Sequence, residues 1–161
     1  MSRKGISKLS RGFVLSTARW CRACAFGRVM SLPTGIPRAG DESNVVLIAS
    51  ADPTAAALLG GLVETLGYAV RFAKWDESPE ARIRRARPRI YMIDCATTVY
   101  CNDEIIGRAM MRGVAVVLFG PPSLSRSMRE LATRHDLDLV IAPVDPGPLA
   151  DVLDRAARRA G

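Results

Sequence analysis

A carboxylate that ends an apolar run is the first feature of this chain with chemical potential. Arg89-Ile90-Tyr91-Met92-Ile93-Asp94 is entered through Arg87-Pro88 and stops at Asp94. A short apolar run bounded by turn signals fits a buried strand. In an open parallel sheet, ligands gather beyond the carboxyl ends of the strands, so Asp94 occupies the place where a site would form. The plainer reading is an acid that ends a strand and hydrogen-bonds to the next loop, because perturbed acids are the minority.

The other chemistry-bearing residues give weaker signals. Cys21 and Cys24 form a CxxC, but a structural zinc site requires four ligands in tetrahedral reach, and the chain has a single histidine, His135. A redox CxxC is disfavoured because it would sit between a strand and its helix, whereas this one lies in an unpatterned leader. Cys95 and Cys101 are far away in sequence, and reduced thiols in a cytosolic compartment are the expectation for all four. Arg82, Arg84, Arg85 and Arg87 crowd one helical stretch; they could hold an anion, but a solvated helix face is the commoner outcome. The turn Ala49-Ser50-Ala51-Asp52 has none of the glycines of a phosphate-cradling loop, which argues against a nucleotide binder or a small α/β enzyme.

The elements that must position Asp94 follow from Asn44 onward, where strand and helix patterns alternate. Val45-Val46-Leu47-Ile48-Ala49 is a continuous apolar run, as expected of a strand buried on both faces. Asp52-Pro53 supplies an N-cap and a proline at the first helical position; Leu58, Leu59, Leu62, Val63 and Leu66 form its apolar face and Gly67 stops it. Residues 68–73 predict the second strand, and Ser78-Pro79 opens the second helix. After Asp94 a loop leads to Asn102, the N-cap of a third helix with Asp103 and Glu104 in its first turn and Ile105, Ile106, Ala109 and Met110 as its buried stripe. Residues 114–119 and 137–142 predict strands four and five. The fourth helix carries Leu124, Met128, Leu131 and Ala132, and Asp145-Pro146 repeats the cap-then-proline device before a last helix that buries Leu149, Val152, Leu153 and Ala156. Five strands, each followed by a helix, specify an α/β fold: a three-layer, doubly wound, five-stranded parallel sheet.

Length and charge set the bounds. A chain of 161 residues has room for one ordinary domain, and no apolar run approaches a membrane span. The net charge of +7 would suggest a nucleic-acid partner, but residues 1–40 hold eight basic residues and no acid, leaving 15 basic against 16 acidic residues from 41 onward. The basicity belongs to a leader, so no nucleic-acid partner is expected. We divide the chain into a basic flexible extension over 1–43 and a folded domain over 44–161. Three readings of the leader stay open: a transit-like targeting segment, a short helix over 13–29 lying on an anionic surface, or residues 1–29 preceding a true start at Met30.

The folded part resembles the receiver domain of response regulators, a CheY-like, flavodoxin-like fold whose strand order is 2-1-3-4-5. Val46-Leu47-Ile48 with Asp52-Pro53 resembles the first strand and the acidic turn after it. Leu66-Gly67-Tyr68-Ala69-Val70 resembles the entry to the second strand. Arg87-Pro88 through Asp94 resembles the strand that ends in the phosphoryl-accepting aspartate, and Ala142-Pro143 stands where the family has Lys-Pro. The resemblance implies Asp94 as phospho-acceptor and Mg²⁺ held by an acidic pair after the first strand. That pair reads Ser50-Ala51 here, leaving Asp52 as the only nearby carboxylate besides Asp94. The hydroxyl residue of the switch is replaced by Phe119, and the lysine by Ala142.

These departures describe a degenerate pseudo-receiver: a non-catalytic cytoplasmic signalling module of a two-component or related pathway, with no cofactor unless the site is functional and Mg²⁺ binds. Its expected partners are signalling proteins, a histidine kinase or a regulator, with homodimerisation as a further option. The resemblance implies a contact face including Ser127, Glu130, Arg134, Asp138, Asp151 and Arg155. No output domain follows Gly161, so output is expected through a partner. The alternative is a working single-domain receiver that takes a phosphoryl group on Asp94 with Asp52 recruited for Mg²⁺.

Overall fold

The computed structural model describes residues 44–97 and 99–160. The predicted leader, including Cys21, Cys24 and Met30, lies outside the described residues. The elements follow one another as β1 (Val45–Ala49), α1 (Pro53–Thr65), β2 (Ala69–Phe72), α2 (Pro79–Ala86), β3 (Ile90–Asp94), α3 (Asp103–Met110), β4 (Ala115–Gly120), a 3₁₀ turn (Pro122–Leu124), α4 (Ser125–His135), β5 (Asp138–Ile141) and α5 (Pro146–Arg159). All strand pairs are parallel and the sheet order is β2-β1-β3-β4-β5. This is the predicted three-layer α/β fold with strand order 2-1-3-4-5.

Alternation along the strands sends side chains to two cores. Val46, Ile48, Ile90, Met92, Val117 and Phe119 pack with Leu59 and Val63 of α1 and with Leu149 and Leu153 of α5. Leu47, Ala49, Tyr91, Ile93, Val116 and Leu118 pack on the other face with Ile83 of α2, Ile106 and Ala109 of α3, and Met128 and Ala132 of α4. Being buried on both faces is why β1 and β3 are uninterrupted apolar runs.

Most helix boundaries are chemical. The Asp52 carboxylate accepts from the Thr54 and Ala55 amides at 2.8 and 3.2 Å, the Ser78 hydroxyl from Ala81, and the Asn102 side chain from Ile105. Gly67 adopts φ 89°, the left-handed conformation that ends α1 with its amide on Glu64. Asp145 departs from expectation. It stands at the N-cap of α5 but its side chain makes no capping bond; of the two amides a cap can engage, the one at position 148 is missing because that residue is proline.

Three other residues correct the sequence reading. Leu58, expected on the buried face of α1, is 69% exposed, since that helix turns Ala56, Leu59, Gly60 and Val63 inward. Met110, at the end of α3, is 43% exposed. Arg82, expected on a solvated face, is only 4% exposed, its guanidinium lying over the Tyr100 ring.

Cross-links tie the chain ends of the elements together. Arg89, at the entry to β3, donates to the Ala157 carbonyl of α5 and to Asn44 before β1. The Tyr68 hydroxyl, at the entry to β2, donates to Asp154 of α5 at 3.2 Å. Burial, then the Asp154 charge, pushes the Tyr68 pKa up to about 12. An unfolded tyrosine titrates near 10, so above about pH 10 the unfolded chain loses this proton before the native chain does. The contribution is complete below about pH 10 and is lost as pH rises toward 12. Tyr68→Phe should therefore flatten the decline of urea-unfolding stability across that window; an equal decline in both proteins would refute the assignment.

Candidate functional site

Asp94 ends β3 opposite Phe119 of β4 and is 4% exposed. A buried carboxylate must be hydrogen-bonded to be tolerated, and both of its oxygens are. Oδ2 accepts from the Ser50 hydroxyl at 2.5 Å, and Oδ1 accepts from the Ala96 amide at 2.8 Å. Ser50 follows β1, the strand adjacent to β3, which brings a residue 44 positions away onto the carboxylate. The Ser50 oxygen in turn accepts from the Asp52 amide at 3.0 Å. Asp52 thus contributes its backbone to this chain of bonds, while its side chain caps α1.

Around Asp94 the carboxyl ends of the strands open into a pocket of about 720 Å³. Its walls are Ala55, Leu58, Leu59 and Leu62 of α1, Phe119 and Gly120 at the end of β4 with Pro121 after them, and Ala142, Pro143 and Val144 after β5, with Asp52, Asp94 and Ala96 completing the lining. Asp52 and Asp94 are the charged residues of that lining, and no lysine or arginine accompanies them. Of the positions singled out in sequence, Ser50, Asp52, Asp94, Phe119 and Ala142 therefore converge. Ala51 is exposed beside them and does not line the pocket. The apolar character of the pocket was not anticipated; its signal was Leu58 and Leu62 on α1 facing an Ala142-Pro143-Val144 turn.

Asp52 and Asp94 do not form a good Mg²⁺ site. The ion takes near-octahedral oxygen ligation and is ordinarily anchored by one or two carboxylates plus waters and phosphate. Asp52 is engaged at the helix terminus, Ser50 gives its proton to Asp94, and the remaining walls supply carbon.

The loop after Asp94 holds the largest surprise. Cys95 and Cys101 are joined in a disulfide rather than being reduced thiols. The loop turns back on itself so that the two Cα atoms are 4.9 Å apart, within the range such a bridge requires. Spacing alone did not reveal the pair, because a separation of six residues has many outcomes in a loop.

On the α3–α4 flank, Asp103 accepts from His135 and from Arg134. These bonds, His135 first, hold its carboxyl below the usual carboxylate range.

Two substitutions separate the roles of the acids. Ser50→Ala removes one of the two donors to a buried carboxylate and should cost about 1–3 kcal/mol in urea unfolding. Asp52→Ala should cost about 1 kcal/mol, while Asp52→Asn, which keeps the capping acceptor, should be close to neutral. Equal losses in the two Asp52 variants would show that its charge, not its capping oxygen, matters.

Comparison with solved structures places this architecture among receiver domains. The chemotaxis protein CheY4 of Vibrio cholerae is 17% identical with TM-score 0.57, covering 70% of this chain and 97% of that one. The receiver domain of NtrX from Brucella abortus is 18% identical with TM-score 0.59, covering 70% and 98%. A putative pilus assembly-related protein of Burkholderia pseudomallei is 26% identical with TM-score 0.57, covering 74% and 93%. No protein-family model and no curated protein matches the chain. The fold is that of a CheY-like response-regulator receiver domain.

Proposed function

We propose that this chain is a non-catalytic signalling module, a degenerate receiver that acts through protein–protein contacts. The observation that carries the reading is the chemistry around Asp94. The aspartate stands at the acceptor position, but the lining beside it is Phe119, Ala142 and leucines of α1, with no cation. Phosphoryl transfer is carried by positioning and by charges that neutralise the transferring group, chiefly metal ions and lysine or arginine. Removing such partners from a transition state costs several kcal/mol. A fold kept without these groups retains its surfaces as its means of action.

The division into an extension over 1–43 and a receiver-like domain over 44–161, and a cytoplasmic location, belong to the same proposal. The contact surface we favour is the α4–β5–α5 face. Much of its charge is already matched: Arg126 with Glu130 and Asp138 with both Arg155 and Arg159 within the face, and Arg134 with Asp103 of the neighbouring α3. Asp151 is exposed on that face. A histidine kinase, a regulator or a second copy of the chain is the proposed partner class. The Burkholderia neighbour described as pilus assembly-related supports widening that class to components of an assembly apparatus, where contact rather than phosphorelay is the output.

The competing reading is a working receiver with Asp94 as acceptor and Asp52 recruited for Mg²⁺; Asp94's position in the pocket wall is what favours it. Incubation with acetyl phosphate, with and without Mg²⁺, followed by intact mass, distinguishes the two. The expected result is no mass gain under conditions that label a competent receiver. A Mg²⁺-dependent gain of one phosphoryl group that disappears in Asp94→Ala would overturn the proposal.

A further inference from the structure

The segment between β3 and α3 is closed by the Cys95–Cys101 disulfide, and it touches both the Asp94 pocket and the interior on the opposite face of the sheet. On the pocket side it supplies Ala96, whose amide donates to Asp94 and whose side chain lines the cavity. On the other side it supplies Tyr100, 3% exposed and set over the Arg82 guanidinium with 4.9 Å to the ring centroid. One bond therefore fixes a loop that contributes to two places at once.

The hydrogen bonding around this loop is incomplete. Among the described residues, Thr97 Oγ1 is a buried side-chain polar atom without a partner, while the Tyr91 hydroxyl faces the Arg82 guanidinium. Thr97 lies inside the disulfide-closed loop. Arg82 lies under Tyr100, and Tyr91 belongs to the same core cluster as Tyr100. Arg82 is a buried cation whose neighbours are the Trp75 carbonyl, the Tyr91 hydroxyl and the Tyr100 ring, and among the described residues no carboxylate pairs with it. Unpaired buried polar groups are disfavoured and are rare in native interiors. Inside the loop it is Thr97 whose hydroxyl the oxidised arrangement keeps from water without a partner. Cys95 and Cys101 are both partly exposed while packing against the core.

We propose that Cys95–Cys101 is a reversible thiol–disulfide modification site that sets the wall of the Asp94 pocket. The co-reactant is a dithiol, a small molecule or a protein with two neighbouring cysteines. Its thiolate attacks one sulfur of the bridge, forming a mixed disulfide and releasing the other cysteine, which takes up a proton. The second thiol of the donor then resolves the mixed disulfide. Two electrons and two protons end on Cys95 and Cys101, and the donor leaves as its own disulfide. Reduction releases the Ala96 amide from Asp94 and lifts Tyr100 from Arg82, letting water reach the Thr97 hydroxyl and the Arg82 guanidinium. This inference stands whether or not Asp94 accepts a phosphoryl group, because it concerns the loop and not the acceptor.

The test uses the full chain, with peptide-resolved mass mapping so that Cys21 and Cys24 are scored separately. Without reductant, Cys95 and Cys101 should resist iodoacetamide; after dithiothreitol both should be alkylated in protein that keeps its far-UV circular dichroism. Amide hydrogen exchange read by NMR should then accelerate by at least about ten-fold at Ala96 and across the loop, while β4 is unchanged. The Cys95→Ser/Cys101→Ser double variant should exchange fast without reductant and ignore it. The proposal is overturned if the two thiols alkylate in untreated native protein. It is equally overturned if the bridge opens only with global unfolding, or if Ala96 exchange is the same in both redox states.

Discussion

The structure around the site depends on making one buried carboxylate tolerable. Asp94 sits where β1, β3 and β4 deliver their carboxyl ends, and water is largely excluded from it. An ionised group there is stable only if fixed dipoles replace its hydration. Two do so from opposite sides, the Ser50 hydroxyl and the Ala96 amide. Ser50 is itself oriented by the Asp52 amide, and Asp52 begins α1. The first residue beyond β1, the start of α1 and the loop after β3 are thus parts of one polar chain in an otherwise carbon-lined setting. Moving any one of them disturbs the others.

This architecture was largely legible because it rests on local chemistry repeated five times. The apolar runs of β1 and β3, the Asp52-Pro53 and Ser78-Pro79 helix starts and the Gly67 stop each carry their own signal, and neighbouring signals agree. Strand ends moved by a residue or so, as with β4 and β5, because pairing with neighbours and not the apolar pattern decides where a ladder stops. What escaped depends on contacts between distant residues. Arg82 belongs to a helix whose other arginines face outward, and only the arrival of Tyr100 from the β3–α3 loop makes its burial possible. At Asp145 the sequence already carried a warning, since the proline at position 148 removes one of the two amides a cap can engage.

The candidate site was legible as a list of positions but not as an environment. Asp94, Ser50, Asp52, Phe119 and Ala142 could be picked out one by one, and they do converge. That the space between them is bounded mainly by leucine, proline and alanine emerges only when α1 and the β5–α5 turn are brought over the same end of the sheet. The change in character is larger than the count of altered residues suggests, since carbon walls also lower the local polarity available to any charge placed there.

Electrostatics gives that environment a direction. A phosphoryl group brings about 1.5–2 negative charges and three strong acceptor oxygens. At Asp94 it would meet a lining with a second carboxylate, Asp52, and no cationic side chain. The Ser50 hydroxyl and Ala96 amide are the donors at hand, and both already serve the unmodified carboxylate. Asp52 is exposed, so solvent screens its repulsion, but two neutral donors do not offset what a lysine and a divalent cation would. The same walls favour an uncharged occupant: apolar surface entering the pocket desolvates Leu58 and Leu62 without burying new charge. On that balance this end of the sheet offers a mainly apolar lining, with Asp94 held as a hydrogen-bonded post between two loops.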